Sequence, residues 1–219
     1  PLVAHEKSLP AHFRRLSPPL PHPIPPSTSQ MASLLDLEGK NNPSDDTTPT
    51  DLRNYHLSIE YKHLQTHSPS GVYLLPHPTL TRSFTGVIFL RRGIYQNAIF
   101  KFQVDVGDNY NTPGCPPPLV TFVNPSGGNP YHPLVNPSSG ALDVKSLVGE
   151  WDSKRCFLIT LLTFIKKAFY IKEYQRGVGG VDGGAMKCET WSNEVAFSTF
   201  TKDREAFIRF VKESVDKSQ

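Results

Sequence analysis

Ten of the chain's 21 prolines fall within its first 50 residues, and that gradient decides where a fold can begin. Proline has no amide donor and fixes φ near about −65°, so Pro18, Pro19, Pro21, Pro23, Pro25 and Pro26 resist helix interiors and sheet ladders and favour polyproline II. The stretch from Gly39 to Thr50 is polar and rich in turn formers. Residues 1–54 are therefore expected to form a disordered Pro-rich tail, and residues 55–217 a folded domain. Within the tail, Arg15, Pro18 and Pro21 fit the basic-x-x-Pro-x-x-Pro pattern read by SH3-type domains, although a plain proline-rich spacer explains the same residues. The first methionine is Met31, and translation starting there would remove the motif.

Of the 219 residues, 37% are hydrophobic and 13 are Phe, enough for one buried core. The 23 basic and 20 acidic residues leave a net charge of +3, too even a balance to predict nucleic-acid binding. No apolar run reaches the ~20 residues of a membrane-spanning helix, so direct membrane insertion is not expected. No apolar signal segment follows Pro1. Three unevenly spaced cysteines make neither a disulfide framework nor a four-thiolate zinc site, which points to a reducing compartment.

From Tyr55 the pattern changes. Leu57, Tyr61 and Leu64 recur at helical spacing and predict a short amphipathic helix stopped at Ser68-Pro69-Ser70-Gly71. Strand-like runs follow at Gly71–Leu75, Gly86–Leu90, Phe100–Val106 and Pro116–Val123. In the third, Phe100, Phe102, Val104 and Val106 alternate with Lys101, Gln103 and Asp105, as a strand with one wet face requires. Short loops between the runs suit an antiparallel meander, so the fold class is α+β. Residues 125–148 read as irregular. A buried central helix is expected over Ser153–Gln175, then a flexible glycine linker over residues 177–184. Two closing helices are expected, capped by Ser192 and Thr201.

The chemistry motifs are sparse. The glycine run has neither dinucleotide nor phosphate-loop spacing. His63 and His67 stand four apart, but no third ligand is evident and they read as surface histidines; no metal or cofactor is expected. Cys115, Cys156 and Cys188 lie among apolar or proline neighbours and read as packed thiols without catalytic activation.

The order of these pieces resembles the ubiquitin-conjugating fold. The likeness is carried by Tyr110 with Pro116-Pro117, by Tyr131-His132-Pro133, by Gly140 to Asp143, by Trp151 and by Ser192–Ala196. More narrowly, Gly86–Phe102, Asp108-Asn-Tyr110, His132–Lys145 and Trp151 resemble the fused-toes (Akt-interacting protein) family of inactive conjugating-enzyme variants, over Tyr55 to Val215. Active conjugating enzymes follow His-Pro with an Asn that stabilises the oxyanion. Here that position is Leu134. Ungapped counting places Leu142 where the nucleophilic cysteine belongs, with Ala141 the near alternative. The resemblance thus implies a degenerate site at His132, Pro133, Leu134 and Leu142, with no catalytic residue, and Trp151 packed against it. The segment Asn124–Pro130 is extra relative to the family, and the first helix looks shortened.

The resemblance also implies a non-catalytic adaptor that joins a Hook-type coiled-coil protein and a Hook-interacting protein, linking early endosomes or vesicles to dynein transport. Such a protein is cytoplasmic and recruited to endosomes. Its partner surface is expected on the C-terminal helices and near Lys166, Lys167 and Lys172. Two rivals remain: a ubiquitin-binding variant that assists an active conjugating enzyme, and an active enzyme using a displaced Cys115 or Cys156.

Overall fold

Thr48 starts the first helix through reciprocal capping. Its Oγ1 accepts from the Asp51 amide (3.2 Å), while the Asp51 carboxylate accepts from the Thr48 amide (3.2 Å) and hydroxyl (2.6 Å). Pro49 takes the first helical position, where its missing N–H costs nothing. Helix α1 therefore spans Pro49–His67. The boundary expected at 54/55 falls inside this helix, which at 19 residues is not short. Thr48 and Pro49 belong to the polar, turn-rich run, whose composition masks the helix start.

The computed structural model describes residues 48–124, 128–182 and 184–219. Arg15, Pro18, Pro21 and Met31 lie outside the described residues.

Strands β1 (Val72–Pro76), β2 (Ser83–Phe89), β3 (Ile99–Asp105) and β4 (Leu119–Phe122) follow in chain order as an antiparallel meander. Register places Val72, Ile88 and Phe100 in one inward row, and Leu74, Gly86, Phe102 and Phe122 in the next. Gly86 is required there. A Cβ would lie 2.3 Å from the Phe102 ring, which crosses over it. Tyr73 and Leu75 point to the other face and are exposed.

Beyond β4 the chain is less regular. Helix α2 (Val144–Val148) lies in the stretch expected to be irregular. Asp143 caps it, accepting from the Ser146 amide at 2.9 Å. Helix α3 (Leu158–Ala168) buries Leu158, Leu161, Leu162, Ile165 and Ala168. It is shorter at both ends than the span expected from its apolar run. Asp152 turns the chain ahead of it, accepting from the Lys154 and Cys156 amides.

Past α3, the residues Glu173–Arg176 form β5, parallel to β7 (Ala185–Cys188), which also pairs antiparallel with β6 (Val181–Asp182). The glycine run is thus part of a small second sheet and not a linker. Gly177 and Gly179 hold positive φ that only glycine adopts readily.

Helices α4 (Glu194–Lys202) and α5 (Arg204–Asp216) close the fold. Their caps are Asn193 and Asp203, whose side chains accept from the Ala196 (3.0 Å) and Ala206 (2.9 Å) amides. Ser192 and Thr201 do not cap them. Thr201 lies within α4, and its hydroxyl donates to Phe197 O instead.

One polar cluster lies within this core. Glu60 of α1 is 1% exposed and accepts from the Tyr110 hydroxyl (2.8 Å), the Asn111 amide (2.7 Å) and the Leu158 backbone amide (2.9 Å). It therefore ties α1, the β3–β4 loop and the start of α3 together. Trp151 packs with its ring 6.1 Å from that of Tyr110, in the core that also holds Leu142 and Leu147. Burial pushes the Glu60 carboxyl up from 4.5 to about 7, against its three donors.

The folded chain thus holds this proton more tightly than the unfolded chain. The Glu60 contribution is complete below pH 4.5 and is lost as pH rises through about 7. His132 acts oppositely: burial lowers it from 6.5 to about 4, so its contribution is present above 6.5 and lost as pH falls through about 4. The two offset one another below about pH 6.5. Between about pH 6.5 and 8 the wild type is expected to lose about 1 kcal/mol relative to Glu60→Gln in chemical denaturation, while the variant itself gains slightly as His132 of the unfolded chain deprotonates. Parallel profiles would mean that Glu60 is ionised throughout.

Candidate functional site

The segment from Tyr131 to Asp143 leaves the sheet as a turn and returns to it. His132 anchors the turn and is fully buried. Its Nδ1 accepts from the Leu134 amide at 3.0 Å, which assigns the proton to Nε2. That N–H faces Ala168 O (3.1 Å) at the end of α3 and the Tyr174 hydroxyl (3.0 Å) of β5. The rings of Tyr95, Phe169 and Tyr174 surround it at 5.4–5.8 Å. Burial among these rings lowers the His132 pKa to about 4, so the imidazole is neutral near pH 7.

The return is built by Asn136 and Gly140. The Asn136 side chain accepts from the Ser138 (2.9 Å) and Ser139 (3.0 Å) amides, and the Gly140 amide donates to Asn136 O (2.9 Å). Gly140 has φ +73°, and a Cβ there would lie 2.4 Å from Phe122 O. The chain then runs along the β4 edge, where Phe122 N donates to Gly140 O and Leu142 N to Val120 O, both at 2.8 Å. Val135 bridges Leu142, and Asp143 N donates to Leu134 O at 2.8 Å. The turn and the return are therefore adjacent strands of one closed loop.

This geometry places the expected site residues. His132, Pro133, Leu134 and Leu142 do come together, but all four are buried. Leu142 does not occupy the open position that a nucleophile needs. Residues 140–144 alternate in strand fashion, so Leu142 and Val144 point inward with Gly140, whereas Ala141 is half-buried and borders solvent. Ala141 is therefore the position on the open side. The Leu134 side chain is wholly within the core.

The three thiols are buried and free. Cys115 and Cys156 interact with Tyr110, in the Glu60 cluster. Cys188 Sγ donates to Thr190 O (2.8 Å) and lies 3.4 Å from the Ser146 hydroxyl, which itself donates to Asp143. The His63 and His67 rings are tilted against one another with centroids 6.2 Å apart, and no group of three or more metal-ligating side chains occurs among the described residues.

Sequence reasoning missed Tyr174, Tyr95 and Asn193. Tyr95 donates to Tyr131 O (2.8 Å), and the Asn193 amide donates to Pro133 O (2.9 Å), seating α4 against the turn. Ser192–Ala196 offered a signal for the last of these, but nothing in Glu173-Tyr-Gln-Arg176 marks Tyr174 as a partner of His132.

The chain is similar to known proteins in sequence and in fold. The family model described as ubiquitin-conjugating enzyme covers residues 56–174. The protein crossbronx homolog of Culex quinquefasciatus is 30% identical over 171 residues, which is 78% of this chain and 68% of that protein. AKT-interacting protein homolog A of Xenopus laevis is 33% identical over 153 residues, covering 70% of this chain and 50% of that protein. The human AKT-interacting protein is 35% identical over 116 residues, 53% of this chain and 38% of that protein. The chain thus spans half or less of these two AKT-interacting relatives. A solved structure titled "Novel Ubiquitin-Conjugating Enzyme" superposes with a TM-score of 0.53 at 19% identity, over 72% of this chain and 90% of that one, a likeness of fold.

The closed loop depends on Gly140. Gly140→Ala is expected to cost about 2 kcal/mol or more, because it combines an unfavourable φ with contact against fixed backbone. Unchanged chemical denaturation would show that the return is not held against Phe122.

Proposed function

The chain belongs to the ubiquitin-conjugating enzyme family, among the AKT-interacting or fused-toes proteins, and we propose that it serves there as a non-catalytic adaptor. The observation that carries this reading is the chemistry of the His132 turn. Covalent ubiquitin transfer needs a thiolate nucleophile and a donor for the oxyanion. Residues 131–143 contain no cysteine, and Leu134 turns an aliphatic side chain into the core where the family pattern has an amide. The neutral His132 is occupied on both nitrogens with holding the turn.

A scaffold with this chemistry acts by binding. The adaptor joins a Hook-type coiled-coil protein and a Hook-interacting protein, and so connects early endosomes to dynein. It has its place in the cytoplasm, with recruitment to endosomes through its partners. No helix among the described residues is long and apolar enough to cross a membrane, which fits attachment through protein contacts. A docking role also accommodates the AKT interaction for which the relatives are named. The exposed Tyr73 and Leu75 on the outer sheet face favour a second reading, in which ubiquitin binds non-covalently.

Two measurements separate these readings. Purified chain mixed with a Hook-type protein is expected to co-elute as a complex, while ubiquitin titration shifts no backbone resonances at moderate concentration. With activating enzyme, ATP and ubiquitin, the wild type is expected to form no reducer-sensitive adduct. Ala141→Cys with Leu134 retained should pass no ubiquitin to lysine. An adduct lost on Cys115→Ser or Cys156→Ser would make the chain an enzyme and overturn the proposal.

A further inference from the structure

The end of α1 and the outward side of α3 enclose a groove of about 620 Å³ that the fold leaves open. Pro69, Ile159 and Tyr170 give it an apolar floor, and Thr163, Lys166 and Lys167 form the α3 wall. Ile159 rests half-buried on the core, and Tyr170 is 37% exposed. The Ile159–Lys167 face is about 12 Å long at ~1.5 Å per residue, room for two turns of a second helix.

The rim carries one sign of charge. Among the described residues, no carboxylate lines the groove. Lys166 Nζ donates to Ser70 O at 2.7 Å, which leaves two of its three N–H groups for a partner. Lys167 sits over the Phe164 ring at 5.6 Å, and neither lysine is in an ion pair among the described residues. Past Tyr170 the charge continues. A Cβ on Gly93 would lie 3.9 Å from the Tyr170 ring, so the exposed Arg91-Arg92 turn adjoins the groove.

We propose that this groove docks an acidic amphipathic helix of the partner protein, a placement that rests on the adaptor reading. Apolar side chains at i, i+3 and i+4 fill the space over Ile159 and Pro69, and flanking carboxylates meet Lys166, Lys167 and the Arg91-Arg92 turn. A lipid surface fits less well, because headgroups reach the lysines but leave the recessed apolar floor uncovered.

The test uses the full chain, with circular dichroism and melting as folding controls, and three variants: Lys166→Glu/Lys167→Glu, Lys167→Glu alone (which spares the Ser70 contact) and Ile159→Glu. A purified Hook-type coiled-coil protein is expected to bind the wild type and to lose at least tenfold in affinity to each variant, with binding that weakens as salt rises. Equal binding to all four chains overturns the groove assignment and leaves the adaptor reading standing. No binding to the wild type overturns the adaptor reading. The groove is then decided by phage-displayed helical 18-mers whose polar positions are randomised among Glu, Lys and Gln. Enrichment of Glu on the wild type, reversed to Lys on the double charge variant, supports the groove; no enrichment or no acidic bias overturns it. Binding to phosphatidylserine–phosphatidylcholine vesicles that the charge variants abolish, without any helix selected, also overturns it and assigns the lysines to lipid.

Discussion

A neutral imidazole, wired on both nitrogens, holds the candidate site in place. One His132 nitrogen accepts the Leu134 amide inside its own turn, and the other reaches across to Ala168 O and the Tyr174 hydroxyl. The turn is thereby seated on the end of α3 and on β5 together. Burial keeps the ring uncharged, and both of its nitrogens are used in positioning backbone and the Tyr174 hydroxyl. The return through Gly140 and the docking of Asn193 on Pro133 then follow as the ways the neighbouring backbone satisfies its own donors.

Glu60 performs the matching task at the other end of α3. Its carboxylate accepts the first helical amide, at Leu158, where the helix dipole favours negative charge, and it draws Tyr110 and Asn111 to the same point. Helix α3 is thus pinned by polar contacts at both ends and by aliphatic packing between them. Its inner face is fully used. The outer face, with Ile159, Thr163 and the two lysines, has no partner of comparable extent among the described residues, which is why a groove exists there.

How much was legible depended on how local the cause was. The meander could be read because Phe100, Phe102 and Val104 alternate with polar residues, and alternation is a property of neighbours in sequence. The caps were misplaced by one or two residues, since Ser192 and Asn193 are both acceptable caps and only the approach of Pro133 selects between them. The second sheet was missed for a stronger reason. Pairing of β5 with β7 is parallel and non-local, and its glycines look like a linker until Met186 and Tyr174 are brought side by side. Likewise, counting along the chain favoured Leu142 for the open position, whereas strand pairing with β4 turns Leu142 inward and Ala141 outward.

By itself the sequence settled which groups are present: no sulfur between Tyr131 and Asp143, an aliphatic Leu134 after His-Pro, and an α+β order of elements that carries the family likeness. Those are matters of composition and short-range pattern, and no folding alters them. Only the tertiary structure decided where the groups face. The neutrality of His132, the raised affinity of Glu60 for its proton and the basic rim around an apolar groove all come from burial and from contacts between residues tens of positions apart, which a linear chain does not encode at any single site.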